Sequence, residues 1–113
     1  ILDFAYSKKN FLKMKYKVTL LPEATLDIRE IIDWYNLEQR GLGKRFYDSL
    51  KLKIKSISLI PFSFQLSYKE SRSAILEKFP YQIHYRVNEL DRVIIIFAIT
   101  HTSRDPRIWK EKS

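Results

Sequence analysis

Apolar residues recur along this chain with two periods, and the change from one to the other divides it. In PEATLDIREIIDWYNLEQ, residues 22–39, Ala24, Ile28, Ile31, Ile32 and Tyr35 fall at i, i+4, i+7, i+8 and i+11. That spacing places them on one face of an α-helix. Pro22 suits the first helical turn, where its missing N–H breaks no hydrogen bond, and Glu23 and Asp27 suit the electropositive end. Arg40-Gly41-Leu42-Gly43 then interrupts the pattern with a short turn. A second helix follows in LGKRFYDSLKLKIKSISLI, residues 42–60, with Phe46, Leu50, Ile54 and Ile57 on one face, Lys44, Lys51, Lys55 and Ser58 pointing elsewhere, and Pro61 as its stop. The two helices form an antiparallel hairpin.

On either side of the hairpin the period is two. KYKVTLL (15–21) precedes it, and FSFQLSY (62–68), SRSAILEKF (71–79), YQIHYRVN (81–88) and RVIIIFAIT (92–100) follow, separated by polar or proline-containing turns. The last of these is apolar at nearly every position, which predicts a central strand covered on both faces. The fold class is therefore α+β: an N-terminal strand, then a helical hairpin packed on one face of a mostly antiparallel sheet of four or five strands, the first strand lying beside the last. Alternation along 81–87 turns Tyr81, Ile83, Tyr85 and Val87 to the helices, and Gln82, His84 and Arg86 to the open face. Residues 106–112 are expected to add a last helical turn.

With 113 residues, 45% of them hydrophobic and only two glycines, the chain suits one folded domain with a modest core. It has no cysteine and two histidines without metal-ligand spacing, so neither disulfides nor a metal centre are expected. GLGK at 41–44 lacks the first half of a phosphate loop, and no other cofactor motif is present. No stretch approaches the roughly 18 apolar residues of a membrane span, which predicts a soluble, cytoplasmic protein. The net charge is +8, yet residues 22–39 hold five acids against Arg29 and carry −4, leaving +12 on the remainder. A basic body with one acidic helix attracts polyanions or an acidic protein, unless its lysines serve only solubility.

KYKVTLLPEATLDIREIIDWYNLEQRGLGKRFYDSL, RSAILEKFPYQIHYRV and VIIIFAITHTSRDPRIW together resemble the RelE/ParE superfamily of type II toxin–antitoxin toxins, also called plasmid-stabilisation proteins, over about Met14 to Lys112. The GLGKRF turn and the HTSRDPRIW tail are more similar to the ParE-like members. The resemblance implies a growth-arresting toxin neutralised by a cognate antitoxin in a hetero-oligomer, without cofactor or metal. Members of the superfamily divide between DNA gyrase, for ParE-like toxins, and mRNA in the ribosomal decoding site, for RelE-like ones; the resemblance implies gyrase or an unidentified target here, with mRNA cleavage as the alternative. The rival from another class is a non-toxic basic module that binds RNA or protein.

Metal-free RNA cleavage needs a base for the 2′-hydroxyl, cations for the phosphate and an acid for the leaving oxygen. Lys69, Arg72, Glu77, Tyr81, His84, Tyr85, Arg86, His101 and Arg104 are the residues of suitable chemistry. Arg72, Tyr85, His101 and Arg104 are the catalytic candidates, and Lys69, His84 and Arg86 the candidates for binding substrate or target. Each has a structural alternative. Arg72 offers a guanidinium fork to phosphate or pairs with an acid of the antitoxin or of its own helix. Tyr85 faces the core or its rim. His101 titrates near neutrality or is fixed by backbone or Asp hydrogen bonds. As a group, His101, Arg104, Asp105, Pro106 and Trp109 look more like a clasp closing the sheet than a catalytic triad.

Residues 14–113 form the expected domain, since MKYKV is where a chain of this family ordinarily begins. Residues 1–13, ILDFAYSKKNFLK, read as an extension: an extended start, a fusion, or the tail of an upstream antitoxin.

Overall fold

The structure is a computed structural model and describes residues 16–104. The expectations for residues 1–13, for Asp105 and Trp109, and for a terminal helical turn lie outside that range. The described chain runs β1 (Lys17–Leu20), α1 (Pro22–Glu38), α2 (Leu42–Leu59), β2 (Gln65–Leu66), β3 (Arg72–Ile75), β4 (Tyr81–Asn88) and β5 (Val93–His101). The strands form one sheet in the order β1-β5-β4-β3-β2, with β1 parallel to β5 and every other pair antiparallel. Two helices on a five-stranded mixed sheet are the α+β arrangement that the periodicities predict.

The parallel step exists because the hairpin crosses over the sheet before the chain returns. Leu21 makes the transition: its N–H donates to the Ile96 carbonyl as β1 ends, and its own carbonyl accepts from Thr25 N–H as α1 begins. Pro22 stands in the first turn of α1. Between the helices, Gly41 takes the left-handed conformation at φ 85°, which side chains disfavour. Gly43 has another task, because a Cβ there would lie 2.7 Å from the Ile32 carbonyl oxygen. Its N–H donates to Asn36 Oδ1 at 2.9 Å, so a side chain of α1 takes over the capping that Gly41 lacks.

The core lies between the hairpin and the sheet. Ala24, Ile31 and Tyr35 of α1 and Phe46, Leu50 and Ile57 of α2 are buried against Ala74, Ile83, Tyr85, Ile94, Ile96 and Ile99. Ile28, Ile32 and Ile54, from the same expected faces, are partly buried against that cluster. Ser58 departs from its expected position: it is buried, its Oγ donating to the Lys55 carbonyl at 2.8 Å. The strands flanking Ser71 are also shorter than alternation suggests. Pro61 to Phe64 spend their residues on turning, and Leu76 leaves the ladder as its N–H reaches back to the Tyr81 carbonyl.

β5 contains a bulge. Tyr85 pairs with Ile96 but His84 pairs with Ala98, so Phe97 is an extra residue. Ile94, Ile96 and Ile99 join the helix-side core, whereas Phe97 and Ala98 form a second cluster with Leu21 on the other side. Beyond the end of β1, Ile99 N–H donates to Asp27 Oδ2 of α1 at 3.0 Å. That carboxylate satisfies a donor that β1 is too short to reach.

Candidate functional site

Eight of the nine residues of suitable chemistry fall in three places, and Glu77 stands apart from them. Lys69, Arg72 and Arg86 line one depression of about 760 Å³, together with Phe62, Leu66 and Leu90. Lys69 stands on the tight β2–β3 loop. Ser67 N–H donates to the Ser71 carbonyl, and both Ser71 N–H and Ser71 Oγ donate to the Tyr68 carbonyl. Closing the loop so tightly puts Lys69 in the left-handed region, at φ 57°, with its ammonium 5.3 Å above the Tyr68 ring.

Arg72 opens β3 opposite Tyr85. Its Nη1 donates to the Phe62 and Phe64 carbonyls at 3.2 and 2.8 Å, and the guanidinium stacks 5.2 Å from the Phe62 ring. Arg72 therefore holds the turn after Pro61 in place and pairs with no acid in these contacts. Arg86 projects from the opposite face, its guanidinium 5.2 Å from the Phe97 ring.

The second place is the interior. Tyr85 is fully buried and its hydroxyl donates to the Pro61 carbonyl at 2.6 Å. Burial pushes this phenol up to about 12, against a smaller opposing effect of the Arg72 charge, so it is a fixed donor at neutral pH. His84 corrects an expectation. It does face away from the helices, but it is fully buried, with Nε2 2.7 Å from Thr100 Oγ1 and its ring 6.0 Å from Phe97. Burial holds its imidazole down at about 4, and the ring is neutral near pH 7. Alternation assigned His84 the right side but the wrong surroundings, because Phe97 and Ala98 make that side apolar along the middle of β5.

The third place is the far end of β4 and β5. Tyr81 pairs with His101, their rings 5.2 Å apart and edge to face. His101 Nδ1 accepts from Ser103 N–H at 3.1 Å, with Ser103 Oγ at 2.8 Å. Nδ1 is thus an acceptor, which leaves the proton of the neutral ring on Nε2. Arg104 N–H donates to the His101 carbonyl and Thr102 N–H to the Pro80 carbonyl. Burial raises the Tyr81 phenol and the Arg104 charge opposes that rise. Glu77 belongs to neither end of this strand pair, since its carboxylate holds Lys53 Nζ at 3.0 Å.

Along β4, Tyr81 and Arg86 are five residues apart, roughly 17 Å at the rise of a strand. No acid–base pair of the candidates spans that gap, and the bulge puts His101 on the helix side with Tyr81 while His84 and Arg86 face the other way. Asp27 and Asn36 were not singled out for the contacts they make. Both need tertiary information, since one meets a strand 72 positions later and the other a helix across the turn.

A family model for the ParE toxin of the type II parDE toxin–antitoxin system matches residues 18–106. The chain belongs to the ParE toxin family. That match takes in every described element except the first residue of β1, and all seven candidate catalytic and binding residues. Solved structures share the fold. A chain of the chromosomal ParDE system from P. aeruginosa superposes with a TM-score of 0.70 at 17% identity, covering 78% of this toxin and 97% of that chain. The isolated E. coli RelE toxin gives 0.59 at 16% identity, with 86% and 94% covered. The RelBE2 toxin–antitoxin complex from Mycobacterium tuberculosis gives 0.56 at 13%, with 77% and 98% covered. No curated protein sequence matches this ParE-type toxin. Among its described residues, no helix is long and apolar enough to cross a membrane.

Proposed function

We propose that this ParE-type toxin arrests growth by binding DNA gyrase, and that a cognate antitoxin neutralises it in a hetero-oligomer. The observation that carries the gyrase target is the dispersal of the nuclease candidates. Tyr85 is a buried donor to Pro61, His84 is buried and neutral, and Arg72 donates to two carbonyls. A ribonuclease needs its acid, base and phosphate cations within reach of one phosphodiester. Inhibition by binding needs only a surface. Lys69 and Arg86, with the exposed side chains of Leu66 and Leu90, offer one at the β2 end of the sheet.

Purified toxin is then expected to inhibit gyrase supercoiling, and Lys69→Glu with Arg86→Glu to relieve that inhibition. The same double variant should relieve growth arrest on induction without antitoxin. Mapping of mRNA ends in a translating extract decides against the proposal if it reveals cuts that His101→Ala or Arg104→Ala abolishes. The endonuclease reading rests on the third place, where Tyr81, His101 and Arg104 do converge. Co-purification from the native operon tests the antitoxin: a tightly bound co-encoded protein is expected, and its absence would count against neutralisation.

A further inference from the structure

α1 carries a second stripe outside the core. Leu26, Glu30, Asp33, Trp34 and Leu37 fall at i, i+4, i+7, i+8 and i+11, the spacing of the buried stripe moved along by two residues. Leu26 and Trp34 are each 54% exposed and Leu37 86%. A tryptophan and two leucines thus lie exposed along one face of the helix. Glu30 and Asp33 lie within the strip and Glu23 lies near its start. The surface is apolar and negative, so it fits a partner that is apolar and positive.

The same chain presents such a surface. Between β1 and the second half of α2 lies a cleft of about 690 Å³ lined by Tyr16, Lys17, Val18, Lys51, Ile54, Lys55 and Ser58. Tyr16, Val18 and Ile54 are partly buried against the core and form an apolar floor, while Lys17, Lys51 and Lys55 are exposed at the rim. Among the described residues, no carboxylate lines the cleft. Asp48 lies outside it, 2.9 Å from Lys44 and 3.7 Å from Lys51, which leaves the rim positive overall.

We propose that the outer stripe of α1 docks into the lysine-rimmed cleft of a second copy of this chain. The leucines and Trp34 meet the apolar floor, and Glu30 and Asp33 meet Lys17 and Lys55. Every copy carries both halves of the contact, and in the proposed two-fold dimer the contact forms twice. None of these residues lines the Lys69–Arg72–Arg86 depression, and the inference is independent of the gyrase reading.

Sedimentation of the full chain, made by cell-free synthesis, tests this across a wide concentration range at low and high salt. The expected result is a mass rising from one chain to two, with association weakened by salt. Glu30→Lys with Asp33→Lys, or Lys17→Glu with Lys55→Glu, is expected to weaken association about ten-fold or more, and combining all four to restore it. Leu37→Ala should weaken association with no change in thermal midpoint, a readout that does not depend on the charge-reversed chains folding. A single-chain mass at every concentration overturns the proposal, as does association that neither charge reversal alters. Salt-steep DNA binding by a chain that stays monomeric, lost in the lysine variant alone, would assign the cleft to nucleic acid and also overturn it.

Discussion

The two faces of the β4–β5 pair are both closed to water, but by different chemistry. Toward the helices, Ile83, Ile94, Ile96 and Ile99 meet a hairpin of aliphatic and aromatic side chains, with the Tyr85 hydroxyl buried among them. On the other side Phe97 and Ala98 share the interior with His84 and Thr100. Burial drives both titratable groups toward their neutral forms, raising the phenol and lowering the imidazole. Near pH 7 the two faces are equally uncharged. The His84 face is expected to feel acid, because burial holds this imidazole neutral while its unfolded value lies near neutrality.

The largest expected effect is on the helix side. Ile96→Ala removes a fully buried side chain from the centre of the core and should destabilise by about 4 kcal/mol in urea unfolding, by a similar amount at pH 8 and pH 5. The opposite face should supply the pH dependence. The folded-state imidazole at about 4 lies below its unfolded value of 6.5, so the unfolded chain binds the extra proton as pH falls. The contribution of neutral His84 is complete above pH 6.5 and is lost as pH falls through 4, by on the order of 3 kcal/mol. His84→Leu should flatten that slope in unfolding measured from pH 7 to pH 4; an unchanged slope would place the acid sensitivity elsewhere.

A smaller effect separates polar from apolar burial within the helix-side core. Tyr85→Phe keeps the ring and leaves the Pro61 carbonyl without its donor, a loss of about 1–2 kcal/mol by thermal unfolding. The smallest is at the margin of the other face. Arg86 is half-buried over Phe97, and Arg86→Ala should change stability by less than about 0.5 kcal/mol. A larger loss there would make Arg86 part of the structure that closes that face.

Much of this was legible in the residues. The shift from helical to strand period located both helices to within a residue or two, and the unbroken apolar run of β5 marked it as a strand covered on both faces. Ala24, Ile31, Tyr35, Phe46, Leu50 and Ile57 were on the expected faces for the reason that periodicity works: buried apolar positions must face one neighbour. The site was far less legible. Residue type suggests Arg72 for phosphate, but its Nη1 is engaged by the Phe62 and Phe64 carbonyls, in a loop whose path no local pattern specifies. Alternation predicted an accessible His84, and counting in steps of two cannot reveal that His84 is buried beside Phe97 and Thr100 on that side. Asn36 reads as an ordinary exposed helix residue until α2 folds back and brings Gly43 N–H to it.

The extra residue at Phe97 acts as a phase switch in the reading of β5. Before it, even-numbered residues look toward the helices; after it, odd-numbered ones do. His101 is beside Tyr81 only because of that switch. Losing the codon for residue 97 would restore an uninterrupted ladder and keep Ile99 and His101 on the helix side, because they already pair with Ile83 and Tyr81; retaining the residue while ironing out the bulge would turn them toward the His84 side. The bulge is therefore the slack that lets β5 carry one residue more than β4 without moving the far end of the sheet from one face to the other.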